Sequence, residues 1–518
     1  MIEKGKVILE KCKYFLCKTS FLWERFLSIL LAIFVVLLFT TKNQEGHFHI
    51  GYGILIAVLG STLIALIVFI LKNYKKTVEQ MFLTFIIPIG IFYMIFMLPT
   101  YAPDESGHIW RIYEISEGNL LTKQDSKGNE LGVDIPNVLI EAKQEILKKY
   151  SKLGEIISKP ADYKDTTNVI STAQAYPFFL YLPAVIVFFI VRLLNIPIIY
   201  GIYIAKYINF MIFMIGGYEA IKRIPFGKYV LMVCMFLPMV LQQAVSLSAD
   251  SIVNTVMFVY IAYTLELVFQ KDKITRKQLI KYSLLIIFVS LAKMAYIPLI
   301  GLGFLLIFTK NMTKKEKIAI FGVGTAICIA LVAINFIYSS GLKNPSAEAY
   351  YEQANVNGTE QVKYILKNPL QFINVLKNTI SRQGQNYING VIGSPLGWLD
   401  IHISQMVINA FLIILIVSTM IENNEISLSV KQRSWLLIVG IATVILIITA
   451  MYISWTTVGF IIAEGIQGRY FIPLLPIFLL CMCMKNNYIR YPKIEIILPI
   501  VLTVLNGFVL STVLKFFI

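Results

Sequence analysis

The sequence predicts an all-α, polytopic transmembrane protein, and composition, the lengths of the apolar runs and the placement of basic residues carry that prediction. Of its 518 residues, 57% are hydrophobic and only 15% charged, with a mean hydropathy of +0.72. Apolar residues gather in runs of roughly 20, the length that crosses a hydrocarbon core as a helix. The net charge of +16 is concentrated in short segments between those runs, as the positive-inside rule expects. The basic excess therefore reports topology, and no aromatic and basic groove for nucleic acid is implied.

Lys4, Lys6, Lys11, Lys13 and Lys18 precede the first apolar run, and no small-residue cleavage site follows it. Residues 1–25 thus read as a cytoplasmic basic tail, with spans expected at 26–40, 51–71 and 81–99. The chain is then polar, and residues 100–197 form a first long extracytoplasmic loop with juxtamembrane elements. Within it Leu139, Ile146, Tyr150 and Leu153 recur at helical spacing, which fits an amphipathic helix on the membrane surface or one packed on a neighbour. Runs 176–194 and 198–219 cannot both cross while Lys222, Arg223 and Lys228 stay inside, so 176–194 reads as re-entrant or juxtamembrane.

Runs 229–247 and 252–269 predict a hairpin with Ser246-Leu-Ser-Ala-Asp-Ser251 at its outer tip. Residues 282–309 lie between lysines yet are too few for two helices of ~20 residues each, so a short broken hairpin is expected with Lys293 near its tip. A span at 318–338 leads to a second extracytoplasmic loop, 339–402, helical over Thr359–Ile380 and closing in the turn Gly393-Ser-Pro-Leu-Gly-Trp-Leu-Asp400. Spans at 403–421, 434–453, 469–484 and 494–514 bring the total to about 13. The whole chain, 1–518, reads as a single integral membrane domain, multi-pass in the cell membrane with a cytoplasmic N-terminus.

The six cysteines lie in the basic tail or inside apolar runs, which supports neither a disulfide framework nor a zinc site; Cys481 and Cys483 fit packing better than ligation. No glycine-rich phosphate loop of the Walker or dinucleotide kind is present.

Chemistry concentrates where apolar runs end. In Pro103-Asp-Glu-Ser-Gly-His-Ile-Trp-Arg111, Pro103 suits a first helical position, and spacings of four and three put Asp104, His108 and Arg111 on one face of a continuing helix. The predicted topology also collects Asp104, Asp250, Lys293, Asp400 and Arg469 at one side of the membrane, where charges beside apolar runs need partners or a water-filled cavity. Each has an ordinary alternative. Asp250 fits a helix cap, Lys293 a snorkelling lysine, Arg469 a partner of Glu464, Trp398 the interfacial aromatic belt, Asp400 a turn and His108 a structural hydrogen bond.

These motifs resemble DUF2142, a family of bacterial integral membrane proteins. The resemblance runs through Pro103-Asp-Glu-Ser-Gly-His108 with Arg111, Tyr113 and Glu117-Gly118. It continues in Ser246-Leu-Ser-Ala-Asp250, in Lys293 with Tyr296 and Pro298, in Leu396-Gly-Trp-Leu-Asp400, and in Gln467-Gly-Arg-Tyr-Phe471 with Pro473. It covers the chain from about residue 80 to 485. That family in turn is similar to the GT-C glycosyltransferases, which take a sugar from a polyprenyl-phosphate carrier.

The resemblance implies a GT-C-like fold and a catalytic acid in the first long loop, which maps onto Asp104 with Glu105 beside it. It also implies a lysine near the carrier phosphate, here Lys293. The substrate-binding candidates are His108, Arg111, Asp250, Lys293, Trp398, Asp400, Gln467 and Arg469. Inverting transfer needs a carboxylate to take the acceptor's proton and cations to stabilise the phosphate leaving group, and Asp104 with Arg111, Lys293 and Arg469 supplies both kinds of group. No cofactor is required by the pattern; magnesium or manganese on Asp104 and Glu105 is compatible with it. The implied partners are a polyprenyl-phosphate-linked sugar, a glycan or glycolipid acceptor and the lipid bilayer. A transporter or flippase of an envelope precursor, or a noncatalytic envelope-assembly scaffold, are the competing expectations.

Overall fold

A computed structural model describes residues 77–518, apart from 127, 144–145, 310, 319–321, 323, 341–350, 423–425 and 486–493. The basic tail 1–25, the spans expected at 26–40 and 51–71, and part of the 339–402 loop lie outside the described residues.

The fold is mostly helical, and among the described residues five helices are long and apolar enough to cross a membrane: Val78–Phe96, Ile198–Arg223, Ala249–Phe269, Val430–Ser454 and Ile496–Phe517. Shorter apolar helices cover Leu182–Leu193, Met294–Ile307, Gln405–Ser418 and Gly468–Leu480. Several starts follow from local chemistry. Thr275 and Ser429 each form a capping box with the glutamine three residues on, Gln278 and Gln432, satisfying backbone donors that a helix start leaves open.

A large core built around Ile198–Arg223, Ala249–Phe269 and Val78–Phe96 joins most of the helices, and a smaller cluster gathers Val375, Ile448, Tyr452 and Ala463. Close approach depends on small residues. A Cβ at Gly217 would stand 2.6 Å from Phe82 Cζ and 2.8 Å from Met235 Sδ, so a larger residue there would have to push the ends of both side chains aside. Phe82 packs edge-to-face against Phe213 and Phe236, and Tyr93 donates to Asn506 Oδ1 at 2.8 Å, tying in the last helix. Cys234, Cys481 and Cys483 are free and buried, in keeping with packing roles.

Several elements differ from expectation. The run 229–247 is not one helix but two, Lys228–Met235 and Pro238–Ala244, because Pro238 begins a new helix and cannot continue the old one. Its side chains are buried inside the protein, so its hydropathy reflects core packing as much as lipid contact. The run 176–194 holds a short 3-10 turn, Phe178–Leu180, and a twelve-residue helix, Leu182–Leu193, while Ile198–Arg223 runs for 26 residues, so the first is the shorter element. Residues 282–309 are broken at Lys293, between the helix Arg276–Ala292 and a 3-10 helix, Met294–Phe308. A 3-10 stretch of 15 residues is unusual, and side chains secure it: Trp435 Nε1 donates to Gly301 O at 2.7 Å and Tyr260 OH to Leu299 O at 3.2 Å.

The first long segment is not purely helical. Val133–Pro136 and Thr166–Val169 pair antiparallel, with Val133 opposite Val169. The amphipathic helix expected from Leu139 to Leu153 is two short helices, Asn137–Glu141 and Tyr150–Ile157, which bury Leu139 and Leu153 and leave Ile146 exposed. The helical pattern over Thr359–Ile380 likewise divides at Asn368-Pro369 into Gly358–Lys367 and Pro369–Ile392, since Pro369 starts the second helix.

Candidate functional site

The helix Val78–Phe96 ends at an extended Met97, and the next residues form a turn held in an uncommon backbone conformation. Thr100 and Asp104 both adopt the left-handed region, with φ of 67° and 63°. Asp tolerates it; a β-branched Thr is strained there, and the Thr100 hydroxyl secures the turn by donating to Ala142 O. Tyr101 OH donates to Asp400 Oδ2 at 2.7 Å, joining the first long segment to the second. Burial and the adjoining carboxylate push the Tyr101 phenol up, so it remains a donor.

The following helix, Glu105–Ser116, starts one residue after Asp104. Asp104 is therefore outside the first turn, and the face expected to unite Asp104, His108 and Arg111 does not form as one unit. Asp104 instead meets a residue 365 positions away: Arg469 Nη2 donates to Asp104 Oδ2 at 2.6 Å. Arg469 Nη1 donates to Pro103 O at 3.2 Å and stands 3.6 Å from Asp250 Oδ2. Asp250 Oδ1 in turn pairs with Lys293 Nζ. Four of the five charges singled out in the sequence thus form one chain, Asp104, Arg469, Asp250, Lys293.

Local structure aims each member. Ser248 caps Ala249–Phe269 by accepting from Asp250 N at 3.2 Å, which leaves Asp250 uncapping and free, in the first turn, to face the cations. Lys293 stands at the helix break with extended backbone. Its ammonium lies 5.2 Å from the Tyr470 ring centroid, 5.8 Å from Tyr176 and 6.0 Å from Tyr296, three faces suited to a cation. Arg469 opens the 3-10 helix Gly468–Leu474, whose approach to Pro369–Ile392 is so tight that a Cβ on Gly468 would fall 2.4 Å from the carbonyl carbon of Gly390. Side-chain exposure is uneven: 55% for Asp104, but 4% for Arg469, 7% for Asp250 and 14% for Lys293.

The remaining sequence candidates divide. His108 is buried beside the cluster, its Nδ1 2.6 Å from Tyr181 OH and its ring packed on Tyr176. Burial depresses its pKa to about 4, the carboxylates Asp104 and Asp250 opposing that shift only in part, so the imidazole is neutral at ordinary pH. Gln467 precedes Arg469, and its Oε1 is buried without a partner, as are Arg469 Nε and Asn254 Nδ2, one turn beyond Asp250. These are the unfilled hydrogen-bonding positions of the cluster's own elements.

Glu105 does not join Asp104 as a second reactive acid. Its Oε1 accepts from Leu247 N at 2.8 Å, its Oε2 from Ala102 N at 3.2 Å, and Lys206 Nζ lies 3.7 Å away, all within the core. It clamps the turn carrying Asp104 onto the turn carrying Asp250. Arg111 is also turned elsewhere: it donates to Glu114 Oε2 at 2.6 Å and to Leu120 O at 2.7 Å, folding the chain after its own helix. Arg469 pairs with Asp104 and Asp250 rather than with Glu464. Asp400 belongs to the Leu396–Ile401 turn, pinned by Gln242, whose side chain donates to Gly397 O at 3.1 Å and accepts from Gly397 N at 2.9 Å. Trp398 is 45% exposed on that turn, outside the ion-pair chain.

Among the described residues no three His, Cys, Asp or Glu side chains converge to hold a metal ion. Asp104 and Glu105 do not supply the pair that magnesium or manganese would use, because backbone donors occupy both Glu105 oxygens. Sequence reasoning missed Tyr176, Tyr181 and Tyr470 as site residues. One of them stood inside a quoted motif, Tyr470 directly after Arg469, which was the available signal.

No curated protein and no solved structure matches the chain. A family model does, over residues 85–478, a stretch that takes in the Asp104 turn, Asp250, Lys293, Asp400 and Arg469. The chain therefore belongs to the family described as predicted membrane protein (DUF2142).

Proposed function

We propose that this membrane protein is a GT-C-like glycosyltransferase, moving a sugar from a polyprenyl-phosphate donor to a cell-envelope polysaccharide or glycolipid acceptor. In this reading the chain is one integral domain of about 13 spans with its N-terminus in the cytoplasm. Segments 100–197 and 339–402 lie outside the cell membrane and carry juxtamembrane helices, and the reaction takes place on that face.

One observation carries the reading. Asp104 is a half-exposed carboxylate at the lip of a membrane helix, held by a buried arginine that is itself backed by Asp250 and Lys293. Asp104 takes the proton of the acceptor hydroxyl as its oxygen bonds to the anomeric carbon. The bond from that carbon to the phosphate oxygen breaks, and its electron pair stays with the phosphate. Arg469 and Lys293 stabilise the charge developing there, the guanidinium by two-point contact and the ammonium as a point charge. Glu105, Gln242 and Tyr101 hold the two long segments in register around these groups.

A second reading has one observation in its favour. Lys206, inside the Ile198–Arg223 helix, is fully buried beside Glu105, so charge continues from the cluster into the bundle as a transporter or flippase path would require. The test compares surface glycans and lipid-linked sugars in cells lacking the protein, complemented with wild type or Asp104→Asn. Loss of one sugar with accumulation of its polyprenyl-phosphate donor, rescued only by wild type, is the expected result. Lost flipping with every glycosidic product intact would favour the transporter, and full rescue by Asp104→Asn would favour a scaffold.

A further inference from the structure

The four linked side chains carry two negative and two positive charges, so the cluster is neutral as it stands. A donor phosphate adds negative charge, and it finds no unpaired cation at Arg469 or Lys293. One carboxylate must give way for it. The two are not equivalent. Asp250 is 7% exposed, touches both cations and sits in the first turn of a 21-residue helix, where the macrodipole favours an acid. Asp104 is 55% exposed, makes one ion pair and stands on a turn outside any helix.

We propose that the donor phosphate displaces Asp104 from Arg469, so that donor binding itself releases the carboxylate to act as base; this rests on the transferase reading. Arg469 is prepared for the exchange. Its Nη1 is anchored by Pro103 O and faces Asp250, so the guanidinium keeps its place when Asp104 leaves. Its Nη2 carries Asp104 and its Nε is buried with no partner, and these two nitrogens form one edge of the guanidinium. A single Asp104 oxygen uses half of that edge; a phosphate with two free oxygens uses both, in the two-point geometry guanidinium favours.

Before the exchange Asp104 is held against Arg469 and turned away from an acceptor hydroxyl. After it, the freed carboxylate receives the acceptor's proton while Arg469 holds the phosphate that will leave. The base is therefore available only when a donor is in place.

The experiment measures binding of polyprenyl phosphate to the full chain in phosphatidylcholine nanodiscs, for wild type and Asp104→Asn, alongside the cellular glycan assay. With its competitor removed, Arg469 should bind the probe about fivefold more tightly in Asp104→Asn, the factor expected for losing one partly exposed ion pair. Transfer should be lost in the same variant. Polyprenol, which lacks the phosphate, should bind both proteins alike; a difference there overturns the exchange. Competition by inorganic phosphate at equal strength would assign the effect to a free anion and overturn the lipid donor. Equal or weaker probe binding by Asp104→Asn, with transfer still lost, overturns the exchange and leaves the transferase reading standing. Full transfer by Asp104→Asn overturns both. Thermal melting of the variant, expected to fall only by the small shift that losing one partly exposed ion pair brings, identifies a folding defect if it falls further and binding is weak.

Discussion

Replacing Asp250 by asparagine removes the carboxylate that lies between two cations. Asp250, Lys293 and Arg469 are 7%, 14% and 4% exposed, so water cannot take over the lost role. Deleting one partner of a buried ion pair costs ~3–5 kcal/mol, whereas replacing both by apolar groups is often close to neutral. Lys293→Met alone should cost a similar amount, because Asp250 keeps only the 3.6 Å contact to Arg469. The double variant retains Asp104 with Arg469, one negative and one positive charge, and should be far closer to wild type than the sum of the singles. Equilibrium unfolding of the four proteins in mixed micelles measures the coupling, expected at ~2 kcal/mol or more. Additive losses would refute the view that Asp250 and Lys293 act as one buried unit.

Three further outcomes follow from the same geometry. In Gly468→Ala the new Cβ, 2.4 Å from Gly390, must move roughly 1 Å to reach ordinary contact, which displaces the adjacent Arg469; transfer should fall about a hundredfold while the protein still folds, as checked by product formation and melting. Glu105→Gln leaves one of two buried backbone donors and Lys206 without a carboxylate, so it should lower stability by ~3 kcal/mol, whereas Asp104→Asn should lower activity at a stability cost of ~1 kcal/mol or less; melting curves of the two separate a clamp from a base. His108 has a folded-state pKa of about 4, below its ordinary value, so the unfolded chain binds the proton first as pH falls. Its contribution is complete above about pH 6.5 and declines by ~3 kcal/mol toward pH 4, and a His108→Gln variant should flatten that part of the stability profile.

Much of the cluster was legible because charge beside apolar sequence is expensive and so conspicuous. Lys293 stood out from a run too short for two helices, and the break falls at that residue. Arg469 stood out as a charge beside an apolar run that needs a partner, and it pairs with both Asp104 and Asp250. What sequence could not supply was direction. The spacing rule that grouped Asp104 with Arg111 holds only inside a helix, and the left-handed Asp104 lies just before it. Neighbouring acids that look alike in sequence, Asp104 and Glu105, diverge because one precedes the helix and the other points into the core. The tyrosines around Lys293 come from segments at 176, 296 and 470, and such a cage has no local pattern. Apolar composition also misread residues 229–247 as one unbroken element, because core and lipid-facing helices draw on the same residues.

The most direct measurement is release of polyprenyl phosphate from its sugar-loaded form by the purified chain. Lipid extract from cells lacking the protein provides the donor, and acceptor glycan from the same cells is added. The account predicts release by wild type that depends on acceptor, with none above background for Asp104→Asn. Equal release by both proteins, or none by a well-folded wild type, would contradict it.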